Sequence, residues 1–139
     1  MSVEVSWIGI GLATISAMVV GFFWYSPGVF GTVWMKLAGL DREKAKKGML
    51  GPMVLSLLGS FVTAYVLSYF VFVWHGFFGA GFFMDSVTCS FWLALGLAAP
   101  TLIIHNSFEQ KLWKLTALAV GNRFVTLIVM GMAIGIFKP

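Results

Sequence analysis

The chain has 139 residues, of which 60% are hydrophobic and 10% are charged, whereas roughly a quarter of the residues in soluble domains are charged. So short a chain cannot hide this much apolar surface in one core, which excludes a soluble globular protein and predicts lipid as the outer solvent. The net charge is +4, and most of the basic residues lie between apolar runs, which argues against nucleic-acid binding. The single cysteine excludes an internal disulfide.

Four apolar segments are long enough to cross a bilayer. A hydrocarbon core of about 30 Å takes roughly 20 helical residues, and a helix pairs all of its backbone polar groups internally. The sequence therefore predicts an all-α fold, an integral membrane four-helix bundle that forms one transmembrane domain over residues 1–139. The predicted spans cover residues of about 6–25, 50–74, 86–104 and 115–137.

A short amphipathic helix is predicted after the first span, over about residues 27–38. Ser26 is a favourable N-cap, and Pro27 suits the first helical position. Four apolar residues then follow at the spacing of one helix face, which is typical of a helix that lies in the membrane interface. They are Phe30, Val33, Trp34 and Leu37.

The distribution of lysine and arginine predicts the orientation of the chain. The first and third connectors lie on one side and hold seven of these residues, whereas the opposite side holds Lys138 alone. The positive-inside rule assigns the basic connector 36–48 to the cytoplasm and both termini to the outside. We therefore expect a multi-pass protein of the bacterial cytoplasmic (inner) membrane.

Small residues recur every fourth position on all four spans, which allows helices to pack closely in lipid. One interpretation is a solute path lined by small hydroxyl groups. The other is a set of tight seams in which each hydroxyl bonds its own helix. Because the fourth span has two such faces, we also expect a homo-oligomer. The candidate lining residues are Ser56, Ser60, Thr63 and Ser90.

The end of the first span carries the motif Trp24-Tyr25-Ser26-Pro27-x-x-Phe30-Gly31-x-x-Trp34. In this motif the chain resembles the bacterial four-span membrane family catalogued as domain of unknown function 1761. The resemblance covers nearly the whole chain and implies a compact four-helix membrane protein, but no activity. The charged stretch Gly121-Asn122-Arg123 departs from the family's fourth span, so no shared role is extended to Arg123.

Arg123 is the one charge well inside a predicted span. An arginine in hydrocarbon needs a carboxylate, carbonyl groups, water or the interface. With Asn122, Glu109 and His105 it forms a candidate polar site for an anion or a lipid phosphate, with Glu109 as its expected acidic partner. The alternative is an arginine that snorkels to the headgroups or holds one connector in place.

The remaining polar and aromatic residues indicate no catalytic centre. His75 and His105 lie at opposite ends of the bundle, so no single metal or haem cofactor can use both. Trp24, Tyr25 and Trp34 suit an interfacial aromatic belt or, alternatively, a cage for a cationic ligand. The five carboxylates are predicted near or outside the interfaces. We therefore expect neither an enzyme nor a resident cofactor.

Two hypotheses of function follow from this pattern. The first is a channel-like or binding protein for a small solute, an ion or a lipid, with Arg123 near the cytoplasmic mouth. The second is a non-transporting structural or accessory subunit whose small-residue faces dock on another copy or on a larger membrane assembly. Membrane lipids are expected partners in both cases, and the sequence identifies no partner protein.

Overall fold

A computed structural model describes residues 2–139, apart from the side chains of Arg42, Lys44 and Ala45. The predicted orientation depends partly on Arg42 and Lys44, whose side chains lie outside the described residues. The described residues form seven α-helices and one π-helical turn. These are α1 (Trp7–Trp24), α2 (Gly31–Ala38), α3 (Arg42–Lys47), α4 (Leu50–Phe78), α5 (Phe82–Leu93), the π turn (Ala94–Ala98), α6 (Ala99–Phe108) and α7 (Trp113–Ile136).

Four apolar helical stretches within residues 2–139 are long enough to span a membrane: α1, α4, the continuous stretch Phe82–Phe108, and α7. Their surfaces are largely exposed and apolar, with Leu50 79% and Leu55 70% exposed. The all-α, four-span prediction is confirmed. The second and third spans are longer than predicted, since they meet across Gly79–Gly81, where Gly79 has a φ of 63° that favours glycine.

α1 and α7 run antiparallel along most of their length. Ser6 caps α1 by accepting a hydrogen bond from the Gly9 N–H at 3.1 Å. A side chain at Gly9 would meet the Phe137 carbonyl oxygen at 3.0 Å, and one at Gly121 would meet the Trp24 ring at 3.1 Å. We call the end of the bundle near Gly9 the terminal end and the end near Trp24 the basic end.

The seam between α5 and α7 is closed by glycine and serine. A Cβ on Gly131 would collide with the Ser90 hydroxyl, and a Cβ on Gly135 would collide with the Ser86 hydroxyl. Ser90 and Ser86 are fully buried, and Ser90 donates its hydroxyl to the Ser86 carbonyl at 2.7 Å. This seam is a tight helix contact in which the hydroxyl bonds its own helix.

The third span contains a π-helical turn just before Pro100. Pro100 has no N–H and its ring crowds the preceding turn, so the helix there widens, and the Ala99 N–H bonds the carbonyl of Ala94, five residues earlier. The buried face consequently passes from Ser90 and Ala94 to Ala99 instead of Ala98. The series of small residues at every fourth position of this span is thus displaced by one residue.

The amphipathic helix after α1 begins later than predicted, at Gly31 and not at Pro27. Ser26 does not cap it, because the Ser26 hydroxyl donates back to the Phe23 carbonyl at 2.7 Å. Residues 25–30 instead form a tight loop in which the Gly31 N–H bonds the Ser26 carbonyl at 2.8 Å. A Cβ at Gly31 would collide with the Tyr25 carbonyl oxygen, so only glycine fits there.

Candidate functional site

Two cavities open on the bundle, one at its basic end and one along its side. The first, which we call the basic-end pocket, has a volume of about 610 Å³ and is lined by Tyr25, Trp34, Leu37, Ala38, Leu102, His105, Asn106, Gln110, Lys111, Leu112, Leu115 and Ala119. The second, which we call the lateral groove, has a volume of about 500 Å³ and is lined by Val62, Thr63, Val66, Leu67, Phe70, Leu93, Leu97, Ala98, Thr101, Leu102, Arg123 and Leu127.

The two cavities follow one face of α7. Leu115 and Ala119 line the basic-end pocket, whereas Arg123 and Leu127 line the lateral groove. These four residues recur every fourth position, so they share a face about 18 Å long at 1.5 Å per residue. Leu102 lines both cavities. Arg123 therefore lies where a polar pocket meets an apolar groove.

Arg123 lies close to the level of the bundle at which α1 ends. Gly121 packs on Trp24, the last residue of α1, and Arg123 is two residues further along α7, about 3 Å at the helical rise. The positive charge of Arg123 also lowers the pKa of Tyr25, just past α1, against the larger increase that burial causes. The guanidinium group is thus within range of a Coulomb interaction with the Tyr25 hydroxyl.

Arg123 does not pair with Glu109, contrary to the sequence-based expectation. Among the ion pairs of the described residues, Glu109 contacts Lys111 at 3.0 Å and His105 at 3.2 Å, and none includes Arg123. Lys111 is reached through a tight turn at Gln110, whose φ is 56°. A hydrogen bond from Lys111, helped by the charges of His105 and Lys111, lowers the pKa of Glu109.

Two buried N–H donors lie near Arg123. The indole Nε1 of Trp24 and the amide Nδ2 of Asn122 have no hydrogen-bond acceptor among residues 2–139. Trp24 packs on Gly121, the neighbour of Asn122 in the chain. A buried donor without an acceptor is energetically costly, so this part of the α1–α7 contact favours an electron-rich partner.

The sequence motif contributes both to the pocket and to its support. Tyr25 and Trp34 line the basic-end pocket with ring centroids 5.0 Å apart. Trp24 packs on Phe30 at 4.6 Å, and Gly31 permits the tight loop that brings α2 back over the end of α1. The motif therefore builds one wall of the pocket.

The four candidate lining residues do not share one path. Ser90 is buried in the seam between α5 and α7, and Thr63 lines the lateral groove. Ser56 is exposed on α4, and Ser60 is half-buried on the same helix. Of the four, Thr63 alone lies in either of the cavities described above.

Sequence reasoning missed two polar pairs. His75 Nδ1 lies 2.6 Å from Asp85 Oδ2, and Asp85 is 3% exposed, although it was expected near or outside the interface. The buried Asn106 donates its amide to the Thr116 hydroxyl at 3.2 Å and tethers α6 to α7. Both pairs are ten residues apart, on either side of a short connector, and this spacing is the one sequence feature that they share.

The chemistry of the two adjoining cavities suits an amphiphilic anion. The groove offers apolar side chains with Arg123 at one end, while the pocket offers aromatic rings, amides and Lys111. Among the described residues that line either cavity, none is acidic. Residues 2–139 contain no group of three or more His, Cys, Asp or Glu side chains placed to hold a metal ion.

Comparison with known proteins gives one match. A family model described as "Protein of unknown function (DUF1761)" covers residues 8–135. No curated protein and no solved structure matches the chain.

Proposed function

The chain belongs to the DUF1761 family of proteins of unknown function, and from that premise we propose that it binds an anionic membrane lipid, with the phosphate at Arg123 and an acyl chain in the lateral groove. The resemblance drawn from the motif at the end of the first span is thereby confirmed over nearly the whole chain. The function of the family is unknown, so the support for this ligand comes from the two cavities.

The observation that carries the proposal is the position of Arg123 at the junction of the two cavities. A guanidinium group in a membrane is stable when it reaches the interface or an anion, and it binds phosphate through two parallel hydrogen bonds. Arg123 is exposed and, in the described ion pairs, is not neutralised by a carboxylate. Its charge is therefore available to a ligand.

The dimensions of the lateral groove support a lipid over a small solute. On α4 the lining runs from Val62 to Phe70, which is about 12 Å of helix at 1.5 Å per residue. Half of a hydrocarbon core of about 30 Å is roughly 15 Å. The groove is thus close to one leaflet in length, and its polar residues Arg123, Thr63 and Thr101 lie on the side of the groove that is nearer the basic end.

The direction of the groove predicts the source of the lipid. The headgroup lies at the basic end, which the positive-inside rule assigns to the cytoplasm. A lipid of the cytoplasmic leaflet then enters between α4 and the third span without turning over. This orientation, the inner membrane and the expected homo-oligomer are parts of the proposal.

Measurement of co-purifying lipid tests the proposal. The full chain is purified in mild detergent, and bound phospholipid is quantified by native mass spectrometry for the wild type, Arg123→Gln and the matched control Lys138→Gln. Loss of one charged hydrogen-bond partner costs about 1.5–3 kcal/mol, so Arg123→Gln should weaken retention roughly ten- to hundredfold. Lys138→Gln, at the other end of the bundle, should retain the lipid.

Two results would overturn the proposal. One is equal lipid retention by the wild type and Arg123→Gln. The other is a groove occupied by a helix of a second copy or of another protein, seen as protection of Thr63→Cys from a lipid-soluble thiol reagent only in the assembled form. The second result would favour the structural or accessory role.

A further inference from the structure

The basic-end pocket lies beyond Arg123 on the same face of α7, so it is where the headgroup of a lipid bound at Arg123 would lie. Leu102 lines both cavities, and both lie along the same face of α7. The chemistry of this pocket therefore decides which headgroup follows the phosphate. This step rests on the proposed function.

The charges around the pocket disfavour an ammonium headgroup. Lys111 and His105 line the pocket, and none of its described lining residues is acidic. The carboxylate of Glu109 lies outside the lining and already contacts both Lys111 and His105. An amine brought into the pocket would be desolvated without a free counter-charge.

The same ion pairs disfavour a second strong anion. The Glu109 carboxylate contacts the Lys111 ammonium at 3.0 Å. Among the cationic side chains that line the two cavities, Arg123 alone has no contact with a described carboxylate. One uncompensated cation matches one phosphodiester charge. The rest of the headgroup then meets a surface that is close to neutral.

The neutral part of the surface is rich in hydrogen-bonding groups. The Gln110 side chain lines the pocket and takes part in none of the hydrogen bonds of the described residues. Its backbone is fixed, since the Gln110 N–H bonds the Ser107 carbonyl at 3.1 Å and the Lys111 N–H bonds the Asn106 carbonyl at 3.0 Å. An amide both donates and accepts hydrogen bonds, which suits hydroxyl groups.

From these contacts we infer that the pocket selects a phosphodiester lipid whose headgroup is uncharged and bears hydroxyl groups, such as a glycerol headgroup. Gln110 and His105 bind the hydroxyls, the rings of Tyr25 and Trp34 cover the apolar side of the headgroup, and Arg123 binds the phosphate. Choline, ethanolamine and serine headgroups are rejected because each brings an ammonium next to Lys111.

The test compares lipids with identical acyl chains. Delipidated full-length protein is titrated with phosphatidylglycerol, phosphatidylserine, phosphatidylethanolamine and phosphatidylcholine, and adducts are counted by native mass spectrometry. Phosphatidylglycerol and phosphatidylserine both carry one net negative charge, so their ratio reports the headgroup and not the net charge. We expect about a tenfold preference for phosphatidylglycerol, equivalent to 1.4 kcal/mol.

A variant of Gln110 tests whether this side chain causes the preference for phosphatidylglycerol over phosphatidylserine. Gln110→Gly keeps the left-handed backbone, which glycine adopts freely, and removes the amide. It should reduce the ratio of phosphatidylglycerol to phosphatidylserine several-fold while the Arg123-dependent retention persists. The control Ser107→Ala, exposed and outside the lining, should leave the ratio unchanged.

The outcomes separate this inference from the proposed function. Equal binding of phosphatidylglycerol and phosphatidylserine, both lost in Arg123→Gln, overturns the headgroup inference and leaves lipid binding in place. A preference for phosphatidylcholine overturns it in favour of an aromatic cage for cations. If free glycerol 3-phosphate binds as tightly as phosphatidylglycerol, the ligand is a soluble phosphate ester: lipid binding fails and the hydroxyl preference stands.

Discussion

His75 on the last turn of α4 and Asp85 on the first turn of α5 form a 2.6 Å contact that ties two spans together at the terminal end. The Asp85 side chain is 4% exposed, and the same carboxylate oxygen accepts the Gly81 N–H at 3.3 Å. Asp85 therefore holds both the helix before the connector and the connector itself. It is a structural acceptor that lines neither of the two cavities.

Replacement of Asp85 by alanine should destabilise the bundle. His75 and the Gly81 N–H would lose their acceptor, at a cost of about 1–3 kcal/mol. This is less than the loss of a fully buried ion pair, because the His75 side chain is 38% exposed. Thermal unfolding followed by circular dichroism measures the change. Glu109→Ala, which breaks the exposed pairs with His105 and Lys111, is the control and should leave the Tm nearly unchanged.

A methyl group at Gly131 should also destabilise the protein. It would collide with the Ser90 hydroxyl and approach the Ser86 carbonyl oxygen to 2.9 Å, and that backbone atom has little freedom to move. We expect Gly131→Ala to cost about 1–3 kcal/mol in the free energy of unfolding. Gly59→Ala, where nothing lies within 4 Å of the added carbon, should be neutral or stabilising by up to about 1 kcal/mol. Equal stabilities of the two variants would contradict the tight seam.

The ionisation of Tyr25 reports its distance from Arg123. Burial raises the pKa of Tyr25 above the usual 10.0, and the charge of Arg123 opposes that rise. Arg123→Gln should therefore raise the pKa of Tyr25 further. The phenolate absorbance of the wild type and of Arg123→Gln, each corrected by subtraction of its Tyr25→Phe counterpart, measures this pKa. No difference between the two would place the guanidinium group away from Tyr25.

The raised pKa of Tyr25 also has a consequence for stability. A group whose pKa is raised by folding contributes fully below its unfolded pKa, here about 10, and that contribution is lost as the pH rises through the folded value. Unfolding measured between pH 9 and about 12 should show this loss in the wild type and not in Tyr25→Phe.

The lowered pKa of Glu109 predicts that stability is lost at low pH, the opposite of the dependence expected for Tyr25. The hydrogen bond from Lys111 and the charge of His105 lower the pKa of Glu109 below its usual 4.5. The contribution of Glu109 to the stability of this connector is therefore present above about pH 4.5 and is lost as the pH falls through the lowered value. Carbon-13 NMR of the labelled glutamate carboxyl groups follows the titration. Lys111→Gln should return the pKa of Glu109 towards 4.5, whereas Lys114→Gln should not.

The four spans were predictable because each is an uninterrupted apolar run, and hydrocarbon accepts only a backbone that pairs with itself. Their ends were less predictable. The second span continues through His75 and Gly76 to Phe78. These residues mix polar, glycine and aromatic side chains, a composition that is equally typical of a connector. The His75–Asp85 pair depends on that extension, so it could not be derived from periodicity alone.

The cavities were not predictable, because they depend on how far neighbouring helices separate. Arg123 was identified from its charge, and Tyr25 and Trp34 from the motif, but their placement on two adjoining cavities depends on the loop at Gly31 and on the turn before Pro100. The expected Arg123–Glu109 pair was wrong because Lys111 and His105, close to Glu109 in the chain, contact it instead.

The widened turn before Pro100 divides the third span into two segments with different rotational phase. One surplus residue advances the α6 portion by about 100° relative to α5, which orients Leu97 and Thr101 to the lateral groove. Restoring the missing N–H by Pro100→Ala does not by itself remove that residue. A continuous α-helix here therefore requires a compensating deletion, and Pro100 and the length of this span are expected to change together.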